Sequence, residues 1–327
     1  MSIEEKIGFS LGPLLSMDDL LRCAKMADQQ QNIDSLWIPE SWGRESFSSL
    51  GAISQITKNV RLGTSIIGIY SRTPAITAMA ATTLDMLSGN RTVIGLGAST
   101  PAIVENWHGV HFDMPARRMK EYIELVRLMT QGEKVNYSGK FFKINNFKML
   151  HQPQRKHIPI FMAAVNKKMI SIASDLADGI LLYLRPFEEL NKIAYELKQA
   201  KKGKVFEIAC SFICAVSNKE PQKARDRAAV TLAFYVAVGK YYSNFLAENG
   251  FKAEVQEIIE EYKKSGAETA AKFVSDKMLS SLAICGSSED CRESLSKFVS
   301  TGITLPILQF NPVGDSESSF REMLSTF

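Results

Sequence analysis

Eight short apolar runs, each followed by a segment of helical character, organise the 327 residues of this chain. The runs lie at 6–11, 35–39, 60–67, 91–96, 158–163, 179–183, 206–216 and 303–310. Between the first two, Ser16 and Asp19 form a capping box, in which a hydroxyl and a carboxylate satisfy exposed N–H groups. The helix that follows places Leu20, Leu21, Ala24 and Ala27 on one face. Pro74 opens another helix, in the first turn where its missing N–H does no harm. Strands that alternate with helices eight times predict a closed parallel (β/α)8 TIM barrel, class α/β. An open doubly wound sheet would want Gly-x-Gly-x-x-Gly after the first strand. Gly8 and Gly12 lack that spacing, and Gly95 and Gly97 lack the third glycine.

Two segments exceed a minimal barrel. Residues 133–150 alternate polar and apolar around Ser138-Gly139, which predicts a β-hairpin. Residues 221–281 read as helices inserted between strands seven and eight. The first of these starts at Pro221 and is expected to stop near Asn249-Gly250. Its middle is apolar nearly all round, which buries it against the barrel, a partner subunit, or both. No linker-like tract and no internal repeat interrupts the chain, so 1–327 reads as a single domain.

Composition narrows the function. Hydrophobic residues at 45% and charged residues at 23% suit a globular protein with a large core. A net charge of +4 suits an anionic small ligand and lacks the basic stripe of a nucleic-acid binder. The longest apolar stretch, 228–238, has about half the length needed to cross a bilayer, so no membrane partner is expected. The start of the chain shows no basic-then-apolar signal pattern. Cys23, Cys210, Cys214, Cys285 and Cys291 are odd in number and contain no Cys-x-x-Cys pair. They read as reduced core thiols, which predicts a cytoplasmic protein. No Ser-His-Asp set, His-x-x-x-His pair or carboxylate cage is present, so no metal site is expected.

Three stretches carry a resemblance. They are Asp34-Ser-Leu-Trp-Ile-Pro-Glu-Ser-Trp-Gly-Arg-Glu45, Leu62-Gly-Thr-Ser-Ile-Ile-Gly-Ile-Tyr-Ser-Arg-Thr-Pro74, and Leu96-Gly-Ala-Ser-Thr-Pro-Ala-Ile-Val-Glu-Asn-Trp-His-Gly109. Pro159-Ile-Phe-Met-Ala-Ala164 and Ala177-Asp-Gly179 support them. Across nearly its whole length the chain resembles the bacterial-luciferase-like superfamily. Within it, the chain is most similar to the F420-dependent oxidoreductases, methylenetetrahydromethanopterin reductases among them.

The resemblance implies a site at the C-terminal mouth of the barrel and a homodimer. It implies a non-prolyl cis peptide at Ser65–Ile66, after Thr64, backing a flavin-like ring. It places Glu40 and Trp42 beside that ring. Many relatives carry an Asp-His pair where this chain has Glu40 and Ser41, so no histidine mechanism is expected there. Glu40 is expected in a mostly apolar pocket, where its carboxyl would hold or pass a proton. Glu105 falls on a helical turn after strand four, with His108 one turn further on, and the two are candidate acids. His111, His151 and His157 lie outside the matched motifs and read as structural. Ala98, Ser99 and Thr100 are candidates for phosphate or ring contacts. So are Ala163, Ala164, Val165 and Asn166, with Asn166 capping a helix whose N-terminus favours an anion.

The activity implied is hydride transfer between coenzyme F420 and a small organic substrate, possible examples being methylene-pterins. Such chemistry asks the protein to align two carbons and exclude water. Two other readings stay open: an FMN-dependent luciferase-like monooxygenase, and a binding protein without turnover.

Overall fold

The eight runs become the strands of a parallel (β/α)8 barrel in the computed structural model, which describes residues 6–40, 43–155 and 157–327. The strands are β1 Ile7–Ser10, β2 Ile33–Ile38, β3 Arg61–Thr64, β4 Ile67–Gly68, β5 Thr92–Gly97, β6 Val135–Ser138, β7 Lys143–Phe147, β8 Ile160–Ala163, β9 Gly179–Tyr183, β10 Glu207–Val216, β11 Ala283–Gly286 and β12 Leu305–Phe310. The chain divides into two compact units. One comprises residues 24–181 and 203–207; the other comprises 6–23, 182–202 and 208–327.

In the first unit, β2, β3, β5, β8 and β9 pair in that order, all parallel. The buried Trp37 of β2 packs on Phe161 of β8, with ring centroids 5.6 Å apart. Glycine is required beneath that ring, because a Cβ on Gly63 would lie 2.4 Å from Trp37 Cε3. The run 60–67 is not one strand. It breaks after Thr64, passes through a cis peptide at Ser65–Ile66, and resumes as β4 on the edge of β5. The break has a cause in one side chain. Gly95 N–H donates to Thr64 Oγ1 at 2.8 Å, and Thr64 Oγ1 donates back to the Gly95 carbonyl at 2.9 Å. A side chain thus takes both bonds that a continuous strand would supply from its backbone. Ser65 N–H turns the other way, to the Ile38 carbonyl of β2 at 2.9 Å.

The expected hairpin forms, with β6 and β7 antiparallel. Val135 and Met149 pack on Leu125, Met129 and Ala78. Glu121 holds the turn by accepting from Lys140 N–H and Phe141 N–H at 3.0 and 2.9 Å.

In the second unit, β1 pairs with β12, β12 with β10, and β10 with β11. Half of the capping box forms at the head of helix Met17–Ala27: Asp19 N–H donates to Ser16 Oγ at 3.1 Å, while the Asp19 carboxylate accepts from the Ser16 hydroxyl at 2.6 Å. The inserted helices differ from expectation at one boundary. The helix from Pro221 ends at Val238, not at Asn249-Gly250. Gly239, a poor helix former, breaks it, and a second helix, Lys240–Leu246, runs up to the Asn249-Gly250 kink. Ala228, Leu232, Ala233 and Val236 pack with Leu246, Val255, Ile258, Met278 and Leu282. Its own neighbouring helices therefore account for the apolar middle of that first helix. The strand β11 and helix Ser288–Ser300 have no counterpart in the sequence reading. Four apolar residues are too few to signal a strand without the partner they pair with. All five cysteines are free and buried.

Candidate functional site

The strand ends of the first unit carry the site. β2 ends at Ile38, and Pro39 directs the chain so that Glu40 follows the strand. Glu40 is half-buried and held from several sides. Its Oε2 accepts from Ser46 N–H at 3.0 Å and from Arg72 at 3.1 Å, and its Oε1 accepts from Arg72 Nε at 3.3 Å. The same guanidinium pairs with Glu45, which caps helix Ser46–Ile56 by accepting from Phe47 N–H and Ser48 N–H at 2.9 and 2.6 Å. Burial disfavours the Arg72 charge, but the hydrogen bond and charges of Glu40 and Glu45 outweigh it and raise its pKa. Burial likewise raises the Glu45 carboxyl, but the Ser48 and Phe47 N–H groups and Arg72 pull it below its ordinary value. Apolar residues, Ile66, Ile103 and Val104 among them, do line a cleft with Glu40, but Arg72 pairs with its carboxylate. The residue is an ion-paired carboxylate.

Two adjoining clefts open beside it. The inner one is lined by Glu40, Ile66, Gly68, Ser71, Ser99 and His108, with Tyr70, Ile103 and Val104 behind. The outer one, ≈ 480 Å³, is lined by Glu40, Arg44, Glu45, Ser71, Arg72 and His108 with Gly43 and Ile76. Ile66 and Ser99 thus meet Glu40 at one cavity, as the sequence motifs imply. Ser99 has φ +62, in the left-handed region that few residues other than glycine adopt. Such outliers cluster where a ligand is held. A Cβ on Gly97 would strike Ile66 Cδ1 at 2.5 Å and meet the Ala163 methyl at 3.5 Å, so small residues on β5 and β8 leave room for the Ile66 side chain.

Other candidates are placed differently. Thr64 is fully buried, and its hydroxyl is committed to Gly95 on both sides, so it braces the strand break. Thr100 caps helix Pro101–Asn106, and Asn166 caps helix Lys167–Leu176 by accepting from Met169 N–H at 3.0 Å. Ala98 is half-buried, as are Ala163 and Val165, and Ala164 is buried. Glu105 does not pair with His108. Its carboxylate accepts from Phe112 N–H at 3.0 Å and meets His111 Nδ1 at 3.2 Å, and it lines neither cleft. His111, read as structural, is its partner instead. Trp107 is 56% exposed. Trp42, like Ser41, lies outside the described residues. The sequence reading missed Arg72, Ser71 and Tyr70. The one signal for Arg72 was a cation just ahead of the Pro74 helix, with two glutamates in the facing motif.

One polar atom next in sequence to Ile66 has no partner. The Ser65 hydroxyl is buried and makes no hydrogen bond. A buried hydroxyl without an acceptor is costly, and a ligand that supplies one removes the cost.

The luciferase-like monooxygenase family matches residues 6–305. A 5,10-methylenetetrahydromethanopterin reductase of Archaeoglobus fulgidus is 28% identical over 327 residues, spanning 98% of this chain and 97% of that protein. One from Methanolobus tindarius is 29% identical over 310 residues, 92% of each. Among solved structures, the coenzyme F420-dependent tetrahydromethanopterin reductase from Methanopyrus kandleri superposes with a TM-score of 0.87 at 22% identity, covering 98% of this chain and 97% of that one. The family match over residues 6–305, almost the whole length, means that this chain belongs to the luciferase-like monooxygenase family.

Proposed function

We propose that this chain is an oxidoreductase that binds coenzyme F420 and catalyses hydride transfer to a small organic substrate of the methylenetetrahydromethanopterin type. The observation that carries the reading is the orphaned Ser65 hydroxyl, next to Ile66 in the wall of the inner cleft. A polar ring edge is what that donor lacks. The two reductases similar over nearly the whole chain support the choice of cofactor and substrate class.

The bound deazaflavin supplies a hydride at carbon. The residues of this chain do the rest. Ile66, with Ser65 before it, would back the group, and Ser99 and Gly68 would lie beside it. Ala98, Ala163, Ala164 and Val165 keep the neighbouring strand ends small enough for close approach. The N-termini of helices Pro101–Asn106 and Lys167–Leu176, capped by Thr100 and Asn166, are candidates to face the cofactor phosphate. Glu40 accepts hydrogen bonds at the cleft wall. In this reading the enzyme is one luciferase-like domain over 1–327, homodimeric and cytoplasmic; sedimentation gives the oligomeric state.

Fluorescence titration with F420 and with FMN tests the cofactor. Binding of F420 at micromolar concentration with none of FMN is expected; the reverse pattern would establish a flavin enzyme instead. Ser65→Ala should weaken F420 binding about tenfold, the equivalent of one hydrogen bond of about 1.4 kcal/mol. Unaltered affinity in that variant would remove Ser65 from the binding surface.

A further inference from the structure

Resting on the F420 reading, we infer that His108 delivers the proton that accompanies hydride transfer, and that neither Glu40 nor Glu105 does. Three side chains near the strand ends can carry a proton, and their surroundings separate them.

Glu105 faces away from the chemistry. Its carboxylate is engaged by Phe112 N–H and His111, and it lines neither cleft. Glu40 lines both clefts, but both of its oxygens are engaged. Each of its oxygens accepts from the Arg72 guanidinium, and one also accepts from Ser46 N–H. Protonating either oxygen would break an ion pair that is largely shielded from water, with Arg72 and Glu40 side chains 18% and 16% exposed. His108 is the remaining group. It lines both clefts, as Glu40 and Ser71 do, and it is exposed, so solvent can reload it. Imidazole is the side chain that ordinarily exchanges a proton near neutral pH.

The charged and titratable groups facing the cleft are Glu40, Arg44 and Glu45 after β2, Tyr70 and Arg72 after β4, and His108 itself. Two carboxylates and two guanidiniums balance. Among these lining residues, His108 supplies the imidazole.

The step balances for a methylene carbon bridging two nitrogens. The carbon gains the hydride with its electron pair. One carbon–nitrogen bond breaks, and its pair stays on the departing nitrogen. The imidazolium N–H proton joins that nitrogen. The product is an N-methyl group beside an N–H; two electrons leave the reduced deazaflavin with the hydride, its remaining proton goes to solvent, and neutral His108 takes one proton back from solvent.

The chain has four histidines, so their imidazole signals can be assigned by single substitutions in a proton NMR spectrum. Titrating the intact protein with F420 should move the His108 signal, identified by its loss in His108→Asn, and leave those of His151 and His157 in place. With reduced F420 and 5,10-methylenetetrahydromethanopterin, the wild-type rate should fall on the alkaline side through the imidazole range. His108→Asn should lose that limb and about a hundredfold or more in kcat while keeping F420 affinity. F420 binding with an unmoved His108 signal overturns the assignment. So does loss of the alkaline limb in Glu105→Gln or Glu40→Gln instead of His108→Asn. Absence of F420 binding in the fluorescence titration overturns the cofactor reading itself, a separate outcome.

Discussion

Gly95→Ala is expected to be the most damaging single methyl in the first unit. A Cβ at that position would lie 1.8 Å from the Thr64 carbonyl oxygen and 3.0 Å from Leu181 Cδ1. The carbonyl cannot step aside. Thr64 is bonded to Gly95 through its hydroxyl, and the next residue is bonded to Ile38 of β2. Relief requires β3 and β5 to separate at the place where the wall of the inner cleft begins. We expect a loss of more than about 4 kcal/mol, in the range reserved for severe core or backbone clashes. Soluble yield should fall, and the soluble remainder should no longer bind F420. Gly51→Ala is the control. It lies within helix Ser46–Ile56, and a Cβ there has nothing within 4 Å. That variant should gain about 0.5–1 kcal/mol from helix propensity. Equal urea midpoints for the two variants would refute the argument.

Arg72→Leu should show the second largest effect. The guanidinium spans two carboxylates, Glu40 and Glu45, and stands over the Phe47 ring at 5.4 Å. Removing it strands two like charges side by side, Glu40 shielded and Glu45 39% exposed. Breaking a fully buried pair from one side costs about 3–5 kcal/mol, and solvent screening at Glu45 brings this case down to about 1–2 kcal/mol. Hydrogen exchange should speed up at the start of helix Ser46–Ile56, because the Glu45 cap loses its anchor. Arg72→Lys should recover only part of the loss, since one ammonium cannot form the fork that reaches both partners. A melting temperature for Arg72→Leu within about 1 °C of wild type would show the network to be decorative.

Local signals explain most of what the sequence made legible. The caps at Ser16 and Asn166 were readable because each depends on residues three apart. The hairpin was readable from alternation about Ser138-Gly139. Other features failed for equally physical reasons. The run 60–67 has the composition of one strand, and nothing local says that Thr64 will spend its hydroxyl on Gly95, 31 residues away. Glu105 and His108 share a helical spacing, yet Glu105 bonds His111 and Phe112 because the chain turns back after Asn106. Glu40 read as a carboxyl in apolar surroundings because its partner, Arg72, lies 32 residues on.

By itself the sequence determined the barrel, its hairpin, its helical insertion and the strand ends where a ligand would sit, because periodicity and capping act over a few residues. Only the tertiary structure decided which side chains share a cavity. It paired Glu40 with Arg72, left the Ser65 hydroxyl without a partner, and set His108 in the cleft wall. Those outcomes depend on contacts between distant segments, where Coulomb attraction and the cost of burying an unmet polar group outweigh any local preference.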